Sequence, residues 1–266
     1  MKKYLLITLF IITLLLAGYS YFIEPNKLEI TNYTTQDKEL SGVKIVFASD
    51  FHIKPYGQKR LEKIVEIINK QNPDVVVSAG DFVCGHTEHS TMHPQKIAEG
   101  LAKVKSKYGF YTTLGNHDGW YDKVYVEELL EAKGINVLNN ENVKLQINNR
   151  EIYIAGVEDM MTAFPNIDDA LKGTKSPTIL LTHTPDIFPD VPKNVNLTLA
   201  GHTHGGQVRI PIIGPIFTAS NYGNKYAIGF IEENGKKLIT TRGIGVSILP
   251  FRFNCPPEIV VIEFTN

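Results

Sequence analysis

The sequence predicts an α/β fold, sheets covered by helices, tethered by one apolar helix at the N-terminus. Three observations carry this. From Val43 onward, short runs of β-branched residues alternate with segments whose apolar side chains repeat at helical spacing. The strand runs are continuously apolar, as in sheets covered on both faces. Before them lies a long charge-free stretch that reads as a helix on its own.

That stretch is Tyr4 to Ile23, twenty residues preceded by Lys2 and Lys3. At about 1.5 Å per residue it matches the ~30 Å hydrocarbon core of a bilayer. Residues 1–23 are therefore expected to be a membrane anchor, with a cleaved signal peptide as the competing reading. The segment continues apolar past Ala17-Gly18 without a clean small-x-small site, which favours the anchor, and Tyr19 stands where a lipoprotein signal needs cysteine. Lys2 and Lys3 favour a cytoplasmic N-terminus and an extracytoplasmic domain, although Lys27 on the other flank weakens the asymmetry.

Residues 24–42, with Pro25 and Asn32, read as a linker and a leading strand, and 43–266 as one domain. Val43–Ala48 is the first core strand. A helix over Arg60–Gln71 follows, with Leu61, Ile64, Val65 and Ile68 on one face. Asp74–Ala79 is the next strand; Ile97, Leu101 and Val104 mark a second helix; Phe110–Leu114 is a third strand. A helix around Val124–Lys133 precedes Gly134. The second half is richer in strands, expected at 143–148, 151–157, 178–182, 196–200, 227–232, 237–241 and 258–264, with a small helix near 167–172.

Composition narrows the function classes. Of 266 residues 43% are hydrophobic and 21% charged, an ordinary globular balance, and the formal net charge is −1. Without a basic field, long nucleic acid is not an expected partner. Cys84 and Cys255 cannot form a disulfide framework.

The chemistry sits where strands end. Asp50-x-His52 follows the first strand, Gly80-Asp81 the second and Gly115-Asn116-His117-Asp118 the third. His183 follows 178–182, and Gly201-His202-Thr203-His204 follows 196–200. Loops at the carboxyl ends of strands converge on one crevice of an α/β sheet. Asp, Asn and His donors without cysteine suit Mn²⁺, Fe²⁺, Zn²⁺ or Co²⁺. Seven such ligands exceed one four-coordinate ion and suffice for two sharing a carboxylate. Taken singly, each motif has a plainer reading: a turn with a surface histidine, a strand-end turn, a helix N-cap.

In order across 43–205, these blocks resemble the signature of calcineurin-like metallophosphoesterases. Gly201–Gln207, Leu181-Thr-His-Thr-Pro-Asp186 and Arg252-Phe-Asn-Cys-Pro-Pro-Glu-Ile259 resemble a branch of membrane-associated phosphodiesterases, some of which hydrolyse UDP-2,3-diacylglucosamine. The resemblance implies a four-layer α/β/β/α sandwich and hydrolysis of a phosphodiester or pyrophosphate bond. It implies that Asp50, His52 and His204 hold one metal and that Asn116, His183 and His202 complete the other, with Asp81 bridging. His117 would protonate the leaving oxygen or stabilise the transition state, and Asp118 would orient His117. A small-molecule or lipid-linked phosphoester is the substrate class, and a non-catalytic scaffold on the same fold is the rival.

Other residues stay open at this point. His86, His89 and His93 fall at helical-face spacing, as a polar loop, a substrate contact or a third metal site. Cys84 reads as a bystander thiol. Arg252 and Asn254 either close the site or pack the last strand, and Trp120 and Tyr121 either line a pocket or pack.

Overall fold

A computed structural model describes residues 1–85 and 87–266. The chain opens with α1 (Lys2–Gly18), which buries none of its residues and continues through a π-helical turn (Tyr19–Ile23) and a 3-10 turn (Glu24–Asn26). The rod Lys2–Asn26 is long and apolar enough to cross a membrane. Then come β1 (Glu29–Gln36), β2 (Lys44–Phe47), α2 (Gln58–Lys70), β3 (Val75–Ser78), α3 (Pro94–Leu101), β4 (Phe110–Thr112), α4 (Asn116–Glu131) and β5 (Ile135–Val137). The second half comprises β6 (Glu141–Ile147), β7 (Arg150–Gly156), α5 (Ile167–Ala170), β8 (Thr178–Thr182), β9 (Leu197–Ala200), β10 (Arg209–Ile210), β11 (Gly214–Pro215), β12 (Gly229–Glu233), β13 (Lys236–Thr240) and β14 (Glu258–Thr265).

Two six-stranded sheets form, ordered β1-β14-β2-β3-β4-β5 and β12-β13-β9-β8-β7-β6, with β10 and β11 as a separate hairpin. Side chains alternate along each core strand. Ile45, Phe47, Val75 and Val77 face the second sheet and meet Ile154, Ile179, Leu181, Leu197 and Leu199 in a shared core. Val46 and Val76 point the other way, onto Leu61, Ile64 and Ile68 of α2, Ile97 and Leu101 of α3, and Val126 and Leu130 of α4. Over the far face of the second sheet, Leu180 and Leu238 meet Ala170, Ile187, Phe188 and Tyr226. The four layers are thus present, the fourth made of α5, a 3-10 turn at Pro185–Asp190 and loops.

Three expectations change in detail. Within 24–42, helical backbone runs to Asn26 and β1 pairs along its whole length with β14, leaving Lys27 and Leu28 before the strand and a turn at 38–42 after it. The second helix stops at Leu101, and Val104 packs against the same core from the turn beyond it. The helix expected from Val124 starts at Asn116 and is interrupted at Asp122, whose backbone is extended and whose carboxylate caps the Tyr125 N–H at 3.1 Å. A polar first segment and an internal cap hide this start from hydrophobic periodicity.

Candidate metal centre

The loops after β2 and β3 run side by side beyond the sheet. Asp50 N–H donates to Gly80 O (2.9 Å), His52 N–H to Asp81 O (3.0 Å) and Ile53 N–H to Phe82 O (3.2 Å). This pairing carries Asp50, His52 and Asp81 past the strand ends together. Asp50, His52, Asp81, His202 and His204 all adopt positive φ, between 41° and 68°. Such backbone is costly outside glycine, though Asp and His tolerate it better than most, and it persists where surroundings over-determine it. Two motif glycines provide part of that enclosure. A Cβ on Gly115 would lie 2.3 Å from Asp81 Oδ1 and 2.6 Å from His183, and one on Gly201 would lie 2.5 Å from Asp50 Oδ2.

The seven expected ligands come together in one cluster, buried except for the half-buried His202. His52 Nε2 lies 3.0 Å from His204 Nε2, with Asp50 Oδ1 3.7 Å from the latter. On the other side His183 Nε2 lies 2.9 Å from Asn116 Oδ1 and 3.1 Å from His202 Nδ1. Asp81 stands between: its Oδ2 is 3.3 Å from His52 Nε2 and 3.4 Å from His183 Nε2, while its Oδ1 accepts the His117 N–H at 2.8 Å.

Hydrogen bonds behind the rings orient them. His52 Nδ1 donates to Val83 O (3.1 Å) and His183 Nδ1 to Ala79 O (2.7 Å), so both aim Nε2 into the cluster. Asp50 Oδ2 is buried with no hydrogen-bond partner among the described residues. An uncompensated carboxylate oxygen beside imidazole nitrogens is a donor set that a divalent cation satisfies. The residues present therefore fit the metal ions expected from the sequence.

Electrostatics support this. Burial pulls His52 down to about 3 and His202 to about 4, and holds His204 well below the ordinary range, leaving neutral rings. Burial acts against ionisation of Asp81, but the neighbouring His183 outweighs it and holds the carboxyl well below the usual range. His183 is the counterpart: burial opposes its charge, Asp81 overrides, and the ring is pushed up to about 10. Burial raises Asp50 to about 6, with repulsion from Asp81 adding to it.

His117 is the second residue of α4, with its ring 4.6 Å from that of His52 and 5.5 Å from Trp120 (centroid to centroid). Asp118, expected to orient His117, turns its carboxylate to backbone amides. Its Oδ2 accepts the Asp81 N–H (2.7 Å) and Gly115 N–H (3.1 Å), and its Oδ1 the Phe82 (2.9 Å) and Val83 (3.2 Å) N–H groups. It thereby caps α4 and fixes the loop that presents Asp81. Burial and the nearby Asp81 push its carboxyl up to about 7, against these four amides.

Sequence reasoning missed a third wall, the loop after β13. Ser247 Oγ lies 3.2 Å from His117 Nε2. Gln207 holds Ser247 from both sides, accepting its N–H (2.8 Å) and donating to its carbonyl (2.8 Å). Arg252 is fully buried and donates to the carbonyls of Gly245 (2.6 Å), Cys255 (2.9 Å) and Arg242 (2.7 Å), so it braces this loop. The Gly243-x-Gly245 pair was the available signal, since Cβ atoms there would strike Asp50 and His52.

The remaining candidates lie elsewhere. His93 is exposed and its ring accepts the Gln95 N–H as the cap of α3, His89 is exposed, and His86 lies outside the described residues. Cys84 is half-buried and free, with its thiol pushed up by burial, and Cys255 is buried behind His204.

With this geometry in hand, comparisons place the chain among known proteins. The calcineurin-like phosphoesterase profile matches residues 43–206. Over 261 residues the chain is 34% identical to the uncharacterized metallophosphoesterase YkuE of Bacillus subtilis, covering 94% of this chain and 90% of that one. It is 28% identical to the phosphodiesterase YaeI of Escherichia coli, with 92% of each covered. A zebrafish transmembrane protein with a metallophosphoesterase domain is 31% identical over 85% of this chain, which spans 54% of that protein. The NAD nucleotidase of Haemophilus influenzae superposes with a TM-score of 0.51 at 17% identity, over 76% of this chain and 45% of its own, a likeness of fold alone. The chain belongs to the calcineurin-like phosphoesterases and is a hydrolase of phosphate esters.

Proposed function

We propose that the protein is a membrane-held phosphodiesterase or pyrophosphatase that works with two divalent ions. The position of Asp81 carries this reading. One carboxylate lies within 3.4 Å of an imidazole nitrogen on each side, with Asp50 and His204 beyond one and Asn116 and His202 beyond the other. Bound there, the ions would supply Lewis-acid stabilisation of the phosphoryl oxygens and a more acidic water.

The chain's own residues do the rest. Asp50, His52, Asp81, Asn116, His183, His202 and His204 would hold the ions beside the phosphate. His117, at the N-terminus of α4, faces that phosphate from a helix end that favours anions and delivers a proton to the leaving oxygen. Asp118 keeps Asp81 and the start of α4 in register.

The exposed apolar rod Lys2–Asn26 supports anchoring, which raises the local concentration of an amphiphilic substrate. A lipid-linked nucleotide sugar such as UDP-2,3-diacylglucosamine fits that setting. The Lys2 and Lys3 flank favours an extracytoplasmic domain instead, and with it a phosphodiester of the cell envelope. The full chain in detergent, stripped of metal and reloaded with Mn²⁺, tests both against a generic aryl phosphodiester and UDP-2,3-diacylglucosamine. Preference for the lipid assigns the nucleotide-sugar substrate and a cytoplasmic domain. Turnover of the aryl diester alone favours the envelope substrate. Metal loading without turnover of either would overturn the phosphodiesterase reading in favour of a binding scaffold.

A further inference from the structure

The hairpin β10–β11 and the loop that carries Ser247 share an unusual surface. Residues 210–219 and 243–251 contain no charged side chain. Ile212 is 108% exposed, Ile213 72% and Ile248 91%, with Ile216, Phe217 and Leu249 also in the open. Monomeric proteins seldom leave so many large apolar groups together in water. Ile212 and Ile248 also sit at φ of 73° and 59°, left-handed backbone that β-branched residues rarely adopt. Glycine or asparagine would occupy both places without strain and with better solubility, so neither backbone ease nor hydration accounts for isoleucine there.

Location says what covers this surface. Ser247 touches His117, and five residues later the Arg252 N–H donates to Ser20 O at 3.0 Å, at the end of the anchor rod. Five residues of chain reach at most about 18 Å. The Cys255 N–H donates to Glu24 in the same rod. The hairpin is joined to this segment through Val208 paired with Phe253 and the Arg209 N–H donating to Phe253 O at 2.9 Å. Exposed Tyr19, Tyr21 and Phe22 ring the rod at this level, as aromatic side chains do at a bilayer interface. Only Lys27 and Leu28 separate the rod from β1, so the domain has no slack to swing away.

We propose that Ile212, Ile213, Ile248 and their neighbours dock into the bilayer that holds the N-terminal rod. The mouth of the metal centre is thereby set at the headgroup region, and the substrate is a phosphoester drawn from that bilayer. This rests on the anchoring reading above. The apolar side chains enter the acyl boundary while the polar site stays at the level of the headgroups, the arrangement of an interfacial protein.

Site-directed spin labelling of the full chain in phosphatidylcholine–phosphatidylglycerol nanodiscs tests it. Single cysteines replace Ile212, Ile213 or Ile248 in a Cys84→Ala background, Cys255 being buried. Leu9→Cys in the rod and Asn149→Cys in the β6–β7 turn, at the opposite end of the second sheet from the site, are the references. Collision with oxygen against a water-soluble nickel chelate reads the depth of each label. Labels at 212, 213 and 248 are expected to shift towards oxygen, as at Leu9, while Asn149→Cys stays with nickel. Leu9→Cys in lipid with all three rim labels in water overturns the docking surface and leaves the anchor standing. Leu9→Cys in water overturns the anchoring itself, and the docking surface with it. These positions are at the surface, so the substitutions leave the core intact.

Discussion

The floor and the rim of the site use the same backbone conformation for opposite ends. At the floor, Asp50, His52, Asp81, His202 and His204 are left-handed and, His202 apart, buried among partners that leave them little room. At the rim, Ile212 and Ile248 are left-handed and stand in the open, with Gln207 gripping the second loop at Ser247. Strain at the floor aims donors at a common point. At the rim it displays side chains outward from a loop held from behind. A position's conformational cost is thus informative only together with what surrounds it.

The largest expected effect removes the centre of the floor. Asp81→Ala should lose bound metal and phosphodiester hydrolysis together, read by elemental analysis and by kcat on the same preparation. Full metal content in that variant would break the account of the floor. His117→Ala separates chemistry from ligation: metal content should stay and kcat fall roughly 10²–10⁴-fold. Wild-type turnover would remove His117 from the proton-transfer role.

A pH experiment sharpens the same region. In the metal-free protein His183 is raised to about 10 by Asp81, above the 6.5 of a free ring. Its stabilising contribution is therefore complete below pH 6.5 and lost as the pH rises through about 10. Metal ligation requires the neutral ring, so loaded protein should lack this loss. Urea denaturation of stripped and loaded protein across that alkaline range checks it, and parallel slopes would count against ligation by His183.

The smallest effect belongs to the rim. Ser247→Ala should lower kcat about ten-fold through the lost contact with His117, and Ser247→Thr should restore much of it. In a His117→Ala background the serine change should add almost nothing. An undiminished loss there would mean that Ser247 acts on the loop rather than on the histidine.

The floor was legible in the sequence because its residues announce themselves. Asp, His and Asn at the ends of apolar runs, beside glycine, are visible without knowing where the strands meet. The third wall was not, because its signals are contacts across the chain. Ser247 and His117 are 130 residues apart, and Gln207 holds Ser247 across 40. Asp118 was legible as part of its motif, but its four amide contacts depend on how the loops after β3 and β4 fold together. Helix boundaries slipped where caps decided them, as at Asp122. The short strand β5 had too few residues to show a period.

The pairing of β1 with β14 has a consequence for biogenesis. Glu29 lies opposite Glu258, and β14 fills the gap between β1 and β2. β1 is therefore without its neighbour until residues 258–265 have left the ribosome. That strand must wait through synthesis of everything between the two. The first sheet closes only once β14 is made, so the nascent domain is exposed to misassembly until then.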